Sequence, residues 1–147
     1  MKSGPTDNSA LTAAMLRYVH ARTAALIEAR RELRINELDA RALLFIADNP
    51  GTRPGTLSSF LGITSAGVTT LIDRLIQRGA VRREVDPGDR RVNRITVTVD
   101  FSAAPWSALT RFDDAFDHAV VAGEGSDIRS LASALNRFTD AAAAASP

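Results

Sequence analysis

The feature that most constrains the fold of this 147-residue chain is a change of hydrophobic period at about residue 80. Upstream of it, apolar side chains recur at every third or fourth position, as on one face of an α-helix. Downstream, the period becomes two over residues 81–85 and again over residues 94–99. The turn sequence Asp86-Pro87-Gly88-Asp89 lies between these two runs. The pattern therefore predicts a β-hairpin within an otherwise helical chain.

Helices are predicted over about 9–33, 36–48, 56–61, 65–78, 105–121 and 126–145. Asn36 and Ser126 are the predicted N-caps of the second and last helices, and Pro105 fits a first helical turn. At 1.5 Å per residue the first helix would be roughly 35 Å long, which is longer than a domain of this size needs for its own core. Residues 1–8 are polar and are expected to form a disordered lead.

Charge is distributed unevenly along the chain, although the formal net charge is only +1. Residues 53–99 hold eight arginines and four acidic side chains, whereas residues 100–147 hold three arginines and seven acidic side chains. A basic module therefore precedes an acidic segment, and asymmetry of this kind bears on the choice of partner. Cysteine is absent, which excludes disulfides, thiolate metal sites, cysteine nucleophiles and thiol redox sensing.

Neither a membrane span nor a secretion signal is visible in the sequence. The longest purely apolar run covers residues 42–47, far fewer than the roughly 20 residues that a span needs. No hydrophobic stretch follows Lys2 near the start of the chain. We therefore expect a cytoplasmic protein with no membrane partner.

The predicted helix over residues 65–78 has the features of a helix that enters a DNA major groove. Its apolar stripe, which we expect to be buried, consists of Val68, Leu71, Ile72 and Leu75. Small and polar residues occupy the first turn and the opposite face: Ser65, Ala66, Gly67, Thr69, Thr70, Asp73, Arg74 and Gln77. Slim residues let the backbone approach the bases, and hydroxyls or an arginine reach base edges or phosphates. Any surface helix also has a polar face. This feature alone therefore also fits a helix whose polar side chains only face solvent.

The arginines of the hairpin favour the DNA-binding interpretation. Five lie within thirteen residues: Arg82, Arg83, Arg90, Arg91 and Arg94. A slender two-stranded element that projects guanidinium groups fits a minor groove or contacts the phosphates beside it. Charged side chains on a hairpin also protect edge strands from unwanted pairing, but five arginines exceed what that purpose needs.

The chain resembles the winged helix–turn–helix of MarR-type (multiple antibiotic resistance regulator) transcriptional regulators. The resemblance is carried by residues 56–64 (TLSSFLGIT), 68–75 (VTTLIDRL), 78–81 (RGAV), 86–91 (DPGDRR) and 95–98 (ITVT). It extends over about residues 9–145, because the flanking helices also fall in the order of the family. The wing motif and the preceding helix are fairly specific together, whereas each half alone would be weak.

This resemblance implies a mainly α fold with a small β-hairpin wing and an obligate homodimer. It divides the chain into an N-terminal arm and dimerisation helix (1–34), a winged helix–turn–helix lobe (35–100) and C-terminal dimerisation helices (101–147). The implied function is a sequence-specific transcriptional regulator, expected to be a repressor, that binds a palindromic operator in double-stranded DNA. Release by a small amphipathic or phenolic effector is also implied, and without cysteine any sensing would be non-covalent.

Residue roles follow from the same resemblance. The recognition-helix residues expected at the major groove are Ser65, Ala66, Gly67, Thr69, Thr70 and Arg74. The wing residues expected at DNA are Arg83, Arg90, Arg91 and Arg94, with Arg90 or Arg91 at the tip against the minor groove. Asp89 matches the wing aspartate of the family and is expected to orient arginines rather than to touch DNA. Tyr18, His20 and Arg22 are candidates for an effector pocket, although a structural role is the favoured interpretation of each.

Three departures from the family pattern affect these expectations. Residues 98–102 lack the glycine that commonly begins the helix after the wing. Pro54-Gly55 stands where the third helix usually begins, so that helix is expected to start late. Gly123 and Gly125 interrupt the last segment, which leaves the geometry of the dimer open.

Two other classes of function compete with the regulator. A winged helix that serves as a protein-interaction or architectural module without operator specificity would share this fold, and only the arginines argue against it. An enzyme is disfavoured because no nucleophile–base pair, metal-ligand cluster or glycine-rich phosphate loop is visible. His20 and His118, the two histidines, are too far apart in sequence to suggest a metal site. We therefore expect no catalytic activity, metal or cofactor.

Overall fold

The structure, a computed structural model, describes residues 7–123 and 127–146. Its helices within these ranges are α1 (Asp7–Leu33), α2 (Glu37–Asp48), α3 (Pro54–Leu61), α4 (Ser65–Gln77), α5 (Arg111–Ala122) and α6 (Ile128–Ala144). Two antiparallel strands, β1 (Val81–Asp86) and β2 (Asp89–Val97), form a hairpin between α4 and α5. The prediction of a mainly helical chain with a hairpin wing is confirmed.

The starts of α2 and α3 test two of the sequence signals. Asn36 is the N-cap of α2, as predicted, and its side chain accepts a hydrogen bond from the N–H of Asp39 (2.8 Å). Helix α3 begins at Pro54, so the prediction of a late start is wrong. Proline fits a first turn because its fixed φ suits the helix and its missing N–H would find no partner there.

The hydrophobic core is built around α4. The predicted stripe of Val68, Leu71, Ile72 and Leu75 is confirmed, because none of these residues is more than 1% exposed. Side chains from the neighbouring elements complete the core, and those essentially inaccessible to solvent are Leu43, Ile46, Leu57, Ile95 and Leu109. Burial of this stripe fixes which way α4 faces, since the opposite face must then point away from the core.

The hairpin is tied to the rest of the fold at its base. Strands β1 and β2 pair in antiparallel register, with a shift between Val85 and Asp86 next to the turn. On the other edge of β2, the N–H of Ile95 donates to the carbonyl of Thr52 (2.8 Å), and the N–H of Gly51 donates to the carbonyl of Ile95 (3.1 Å). The segment between α2 and α3 is therefore joined to the edge of β2 by a single β-bridge.

The helix predicted over residues 105–121 is wrong in its first part. Trp106–Leu109 form a separate 3₁₀ turn, and α5 begins after Thr110. The break has a local cause, because the Thr110 hydroxyl donates to the carbonyl of Phe101 (3.3 Å) and Leu109 is drawn into the core at 2% exposure. Tertiary packing overrides the helical period here.

Two predictions near the chain ends fall partly outside the described residues. Of the predicted disordered lead, residues 1–6 lie outside them, and α1 already begins at Asp7. The predicted N-cap Ser126 also lies outside the described residues. The N-cap seen for α6 is Asp127, whose side chain accepts a hydrogen bond from the N–H of Ser130 (3.1 Å).

The chain divides into two compact units, with the boundary between Arg111 and Phe112. The second unit contains α6 and most of α5, and neither of these helices has a buried residue. Its exposed apolar side chains include Val121, Leu131 and Phe138.

In the described part of the chain no single helix is long and apolar enough to cross a membrane. Only α3 and α4 taken together, across a bend of 108°, have the required length and composition.

Candidate DNA-binding surface

The first turn of α4 is small and contains no acidic side chain. Thr64 caps it, and its hydroxyl accepts a hydrogen bond from the N–H of Gly67 (3.1 Å). A Cβ at residue 67 would lie only 3.3 Å from that hydroxyl, so glycine keeps the cap close to the helix. Ser65 and Ala66 are exposed, and the backbone N–H groups of a first turn have no helical partner and carry partial positive charge. This end of α4 therefore suits the approach of a phosphate or a base edge.

Thr69 and Thr70 are exposed on the outer face of α4. Each hydroxyl donates to the carbonyl four residues earlier, that of Ser65 (3.0 Å) or Ala66 (3.1 Å). Because the hydroxyl hydrogens are used in this way, the two oxygens are left to accept hydrogen bonds from outside the helix. In a major groove, the donors that match them are the amino groups of adenine and cytosine.

Arg74 is held by Asp39 of α2 in a two-point ion pair. Its Nε donates to Oδ2 (3.0 Å) and its Nη2 donates to Oδ1 (2.6 Å). The side chain of Asp39 is 4% exposed and that of Arg74 is 43% exposed. The hydrogen bond to Asp39 raises the pKa of Arg74 above its ordinary value. Since a buried carboxylate is costly without a partner, the guanidinium of Arg74 is committed to α2.

Arg94 and Asp86 brace the turn of the wing. Asp86 Oδ1 accepts a hydrogen bond from the N–H of Gly88 (2.8 Å), and Oδ2 accepts one from Arg94 Nε (2.6 Å). The Gly88 N–H, followed by Arg94, holds the pKa of Asp86 below its ordinary value. The side chain of Arg94 also lies across Gly51, where a Cβ would come within 3.6 Å of the guanidinium. Arg94 thus connects the turn of the hairpin to the segment before α3.

Arg82 and Arg83 on β1 also have acidic partners. Arg83 Nη2 donates to Oδ1 of Asp73 on α4 (2.8 Å), and Arg82 Nε donates to Oε1 of Glu84 (2.5 Å). Exposed pairs of this kind contribute little to stability. The Arg83–Asp73 pair nevertheless cancels a negative charge that stands on the exposed face of α4 and would repel phosphates.

Arg90 and Arg91 differ from the other arginines of the hairpin. Both are exposed, and no ion pair involving either is found within residues 7–123 and 127–146. Among the residues that the structure describes, Asp89 forms no ion pair with a guanidinium. Its Oδ1 accepts a hydrogen bond from the N–H of Arg91 (2.9 Å), which fixes the backbone at the tip. The tip therefore presents two exposed guanidinium groups that no acid of the described residues engages in an ion pair.

The candidate effector residues are separated by the structure. Tyr18 is half-buried and His20 is exposed on α1, and residues two positions apart face different sides of a helix. Arg22 lies one turn after Tyr18 and lines a cleft of about 230 Å³ between α1 and α2. The cleft has mixed charge and an apolar floor, and its other lining residues are Thr23, Leu26, Arg30, Glu37, Ala40, Arg41 and Leu44.

The acidic partners were missed by the sequence reasoning. Asp39 stands 35 positions before Arg74, and no local pattern indicates a pair at that distance. The helical period places Asp73 on the polar face of α4 but indicates no partner for it. The turn sequence contains Asp86, and an aspartate that opens a turn is a signal for side-chain capture of the following N–H groups, but nothing in it indicates the pair with Arg94.

Comparison with known proteins finds one family model that matches part of the chain and several solved structures with a similar fold. Residues 33–92 match the model of the MarR family, whereas no curated protein sequence matches the chain significantly. The structure is similar to RV1404 from Mycobacterium tuberculosis, with 19% identity, coverage of 96% of this chain and 98% of that one, and a TM-score of 0.65.

Two further solved structures are similar. The transcriptional regulator Tm0710 from Thermotoga maritima is 25% identical, with 88% of this chain and 92% of that one covered and a TM-score of 0.58. A MepR mutant of S. aureus bound to an oligodeoxyribonucleotide is 18% identical, with 95% of this chain and 99% of that one covered and a TM-score of 0.57. These likenesses show the fold over nearly the whole chain.

Proposed function

We propose that the chain is a member of the MarR family, whose model matches its residues 33–92, and that it acts as a homodimeric, sequence-specific repressor of transcription in the cytoplasm. In this proposal the dimer binds a palindromic operator and releases it when a small amphipathic or phenolic molecule binds. The protein binds DNA and carries out no catalysis.

The observation that carries this proposal is the unpaired charge at the wing tip. Arg90 and Arg91 are exposed without an acidic partner in the described structure, and the capped first turn of α4 has no acidic side chain. A polyanion is the partner that both features fit, because phosphates are attracted by guanidinium groups and by a helix N-terminus.

Base readout in this proposal comes from the first two turns of α4, which enter the major groove. The residues placed there are Ser65, Ala66, Gly67, Thr69 and Thr70. Arg90 and Arg91 contact the minor groove or the phosphates beside it. Arg83 and Arg94, which the resemblance implied as DNA contacts, hold the wing and α4 in place through their ion pairs.

Arg74 is assigned a positioning role rather than base readout. To reach a base it would have to leave Asp39 buried without a partner, which costs about 3–5 kcal/mol in typical buried pairs. A good bidentate base contact returns about 1–3 kcal/mol of discrimination. Because the cost of leaving Asp39 without a partner exceeds the gain from a base contact, Arg74 is expected to remain bound to Asp39 when DNA is bound.

Dimerisation is proposed through the helices at both ends of the chain. Helix α1 exposes Leu16 (53%) and Val19 (49%), and α6 exposes Leu131 (54%) and Phe138 (56%). Exposed apolar side chains in such numbers on these helices favour burial against a second copy. The proposed division is therefore residues 1–34 and 101–147 for dimerisation and residues 35–100 for DNA.

The effector is proposed to enter the cleft between α1 and α2. Arg22 and its neighbours give this cleft both charge and an apolar wall, which fits a small molecule with a polar and an apolar end. Tyr18, on the same face of α1 as Arg22, would flank it, whereas His20 faces elsewhere.

Selection of binding sites tests the DNA proposal directly. The full-length protein would be exposed to a pool of random duplexes, and a selected duplex and a shuffled duplex would then be titrated by fluorescence anisotropy over a range of salt concentrations. About eight phosphate contacts per dimer predict a log–log salt slope of about −7 and strong preference for the selected duplex. Equal affinity for both duplexes would support the architectural module instead, and a flat salt slope would overturn DNA binding altogether.

A further inference from the structure

Helices α1 and α4 end in the same way. At the end of α1, Arg34 adopts a left-handed conformation with φ of 54°, and at the end of α4 Gly79 does so with φ of 67°. In each case two backbone N–H groups turn back onto carbonyls of the last turn, a Schellman motif. The bonds are Arg34 to Arg31 (3.3 Å), Ile35 to Arg30 (3.1 Å), Gly79 to Ile76 (2.9 Å) and Ala80 to Leu75 (2.9 Å).

The side chain of Arg78, the C-cap of α4, joins these two helix ends. Its Nη2 donates to the carbonyl of Leu33 (2.7 Å) and its Nη1 donates to the carbonyl of Arg34 (3.2 Å). Carbonyls at a helix C-terminus have no helical partner and carry partial negative charge. The side chain of Arg78, which begins at the end of α4, therefore provides hydrogen-bond donors for the free carbonyls at the end of α1.

Two other elements fix the same junction. The guanidinium of Arg78 lies 5.9 Å from the ring centroid of Trp106 in the 3₁₀ turn, within the range of a cation–π contact. Thr98, directly after β2, donates its hydroxyl hydrogen to the carbonyl of Gly79 (2.7 Å) and its N–H to that of Ala80 (2.9 Å). We call Arg78 with Leu33, Arg34 and Trp106 the α1–α4 joint.

Small rotations at this joint would have large effects. Helix α1 has 27 residues and is therefore about 40 Å long at 1.5 Å per residue. A rotation of roughly 5° between α1 and α4 would displace the far end of such a lever by about 3.5 Å, which is about the rise of one base pair. In a dimer that reads two half-sites, the separation of the recognition helices must match the spacing of those half-sites.

We propose that Arg78 is a positioning residue that sets the half-site spacing accepted by this protein, by fixing the angle between α1 and α4. This inference rests on the proposed function, because it needs a dimer that binds two half-sites. Arginine suits the role, since its planar fork reaches two carbonyls while its face lies against a ring, whereas lysine offers a single compact charge.

The test measures spacing preference separately from affinity. Two copies of the half-site selected by the wild-type protein would be placed on duplexes whose centre-to-centre distance varies in steps of one base pair. Affinities of the wild type, Arg78→Ala and Arg78→Lys would be measured on every duplex, and the melting temperature of each protein would be measured at one concentration. The wild type is expected to prefer one spacing, and the preference for that spacing over its neighbours should fall by about threefold or more in both variants.

Ile46→Ala is the matched control, since Ile46 is fully buried in α2 and does not belong to the joint. It should lower the melting temperature but keep the spacing profile of the wild type. If Arg78→Ala and Arg78→Lys lose affinity by one factor at every spacing, or not at all, Arg78 has no positioning role. Arg78→Lys keeps the test decisive should Arg78→Ala fail to fold. A wild-type protein that does not prefer its half-sites over shuffled DNA would overturn the proposed function itself, and this outcome is visible before any variant is made.

Discussion

Two groups of arginines in the wing are used in opposite ways. Arg94 is bound to Asp86 beside the turn and Arg83 is bound to Asp73 on α4, so these side chains hold elements together. At the tip of the wing, Arg90 and Arg91 have no acidic partner in the described structure. The same residue type therefore serves architecture or ligand binding according to whether an acid stands nearby. Arg74 on α4 belongs with the first kind, and we refer to Arg74, Arg83 and Arg94 as the anchored arginines.

The largest expected effect is the loss of Arg74, the anchored arginine whose acidic partner is buried. Arg74→Ala should lower the free energy of unfolding by about 2–4 kcal/mol, somewhat below the usual cost of breaking a buried pair because Arg74 is partly exposed. Urea unfolding followed by circular dichroism at one protein concentration measures this. Arg91→Ala should change stability by less than about 0.5 kcal/mol. If Arg74→Ala lowered the free energy of unfolding as little as Arg91→Ala does, the distinction between the anchored arginines and the wing-tip arginines Arg90 and Arg91 would be wrong.

Substitution of a residue on the exposed outer face of α4 should affect the preference for DNA sequence and not the stability of the fold. Thr70→Val keeps the shape of the side chain and removes its acceptor oxygen, so it should cost about 1–3 kcal/mol at particular base pairs. Titrations on the selected duplex and on its single-base variants measure this. Thr139→Val on α6 removes a hydroxyl bonded to the carbonyl four residues earlier in the same way (2.9 Å) and should leave binding unchanged. An equal loss on every duplex would show that Thr70 contacts the backbone only.

Removal of a wing-tip arginine should weaken DNA binding without changing what is recognised. Arg91→Ala should reduce affinity about tenfold on all duplexes, or about 1.4 kcal/mol, and should make the salt slope less steep by about 1 for each phosphate that is no longer neutralised. Arg129→Ala, which removes an exposed charge on α6, is the control. Unchanged affinity in both Arg90→Ala and Arg91→Ala would contradict the role assigned to the wing tip.

The smallest expected effect is the pH dependence of the pair between Asp86 and Arg94 beside the wing turn. The folded-state pKa of Asp86 lies below its ordinary value, near 3.9 for an aspartate. Its contribution to stability is therefore complete above that ordinary value and is lost as the pH falls through the folded-state pKa. Carbon-13 NMR should show the Asp86 carboxyl titrating at a lower pH than an exposed aspartate. Arg94→Ala should raise this pKa only in part, because the N–H of Gly88 remains bonded; a full return to the ordinary value would refute the ranking of the two causes.

Much of the fold followed from local sequence signals. The change of period located the hairpin, and the spacing of Val68, Leu71, Ile72 and Leu75 identified the buried face of α4. Asn36 marked the start of α2 through its side chain alone. The 3₁₀ turn at residues 106–109 could not be predicted, because it depends on the burial of Leu109 in a core assembled from distant segments.

The candidate surface was predictable in outline, since a helical period assigns faces and a turn sequence places the wing tip. The use of each arginine was not predictable. Helix α3 and the loops on either side of it lie between Asp39 and Arg74 in the sequence. Their pairing arises only when α2 and α4 pack together. A count of arginines in the hairpin therefore overstated how many are available to DNA.

The contact between Arg78 and residue 34 involves the backbone of residue 34 and not its side chain. Arg78 binds the carbonyl oxygen of Arg34, and no part of the Arg34 guanidinium enters that bond. Glycine and asparagine adopt the left-handed conformation at lower cost and would present the same oxygen. In a library that samples every amino acid at both positions and is selected for the wild-type spacing preference, the recovered members should therefore be diverse and rich in glycine at residue 34, whereas most should keep arginine at residue 78.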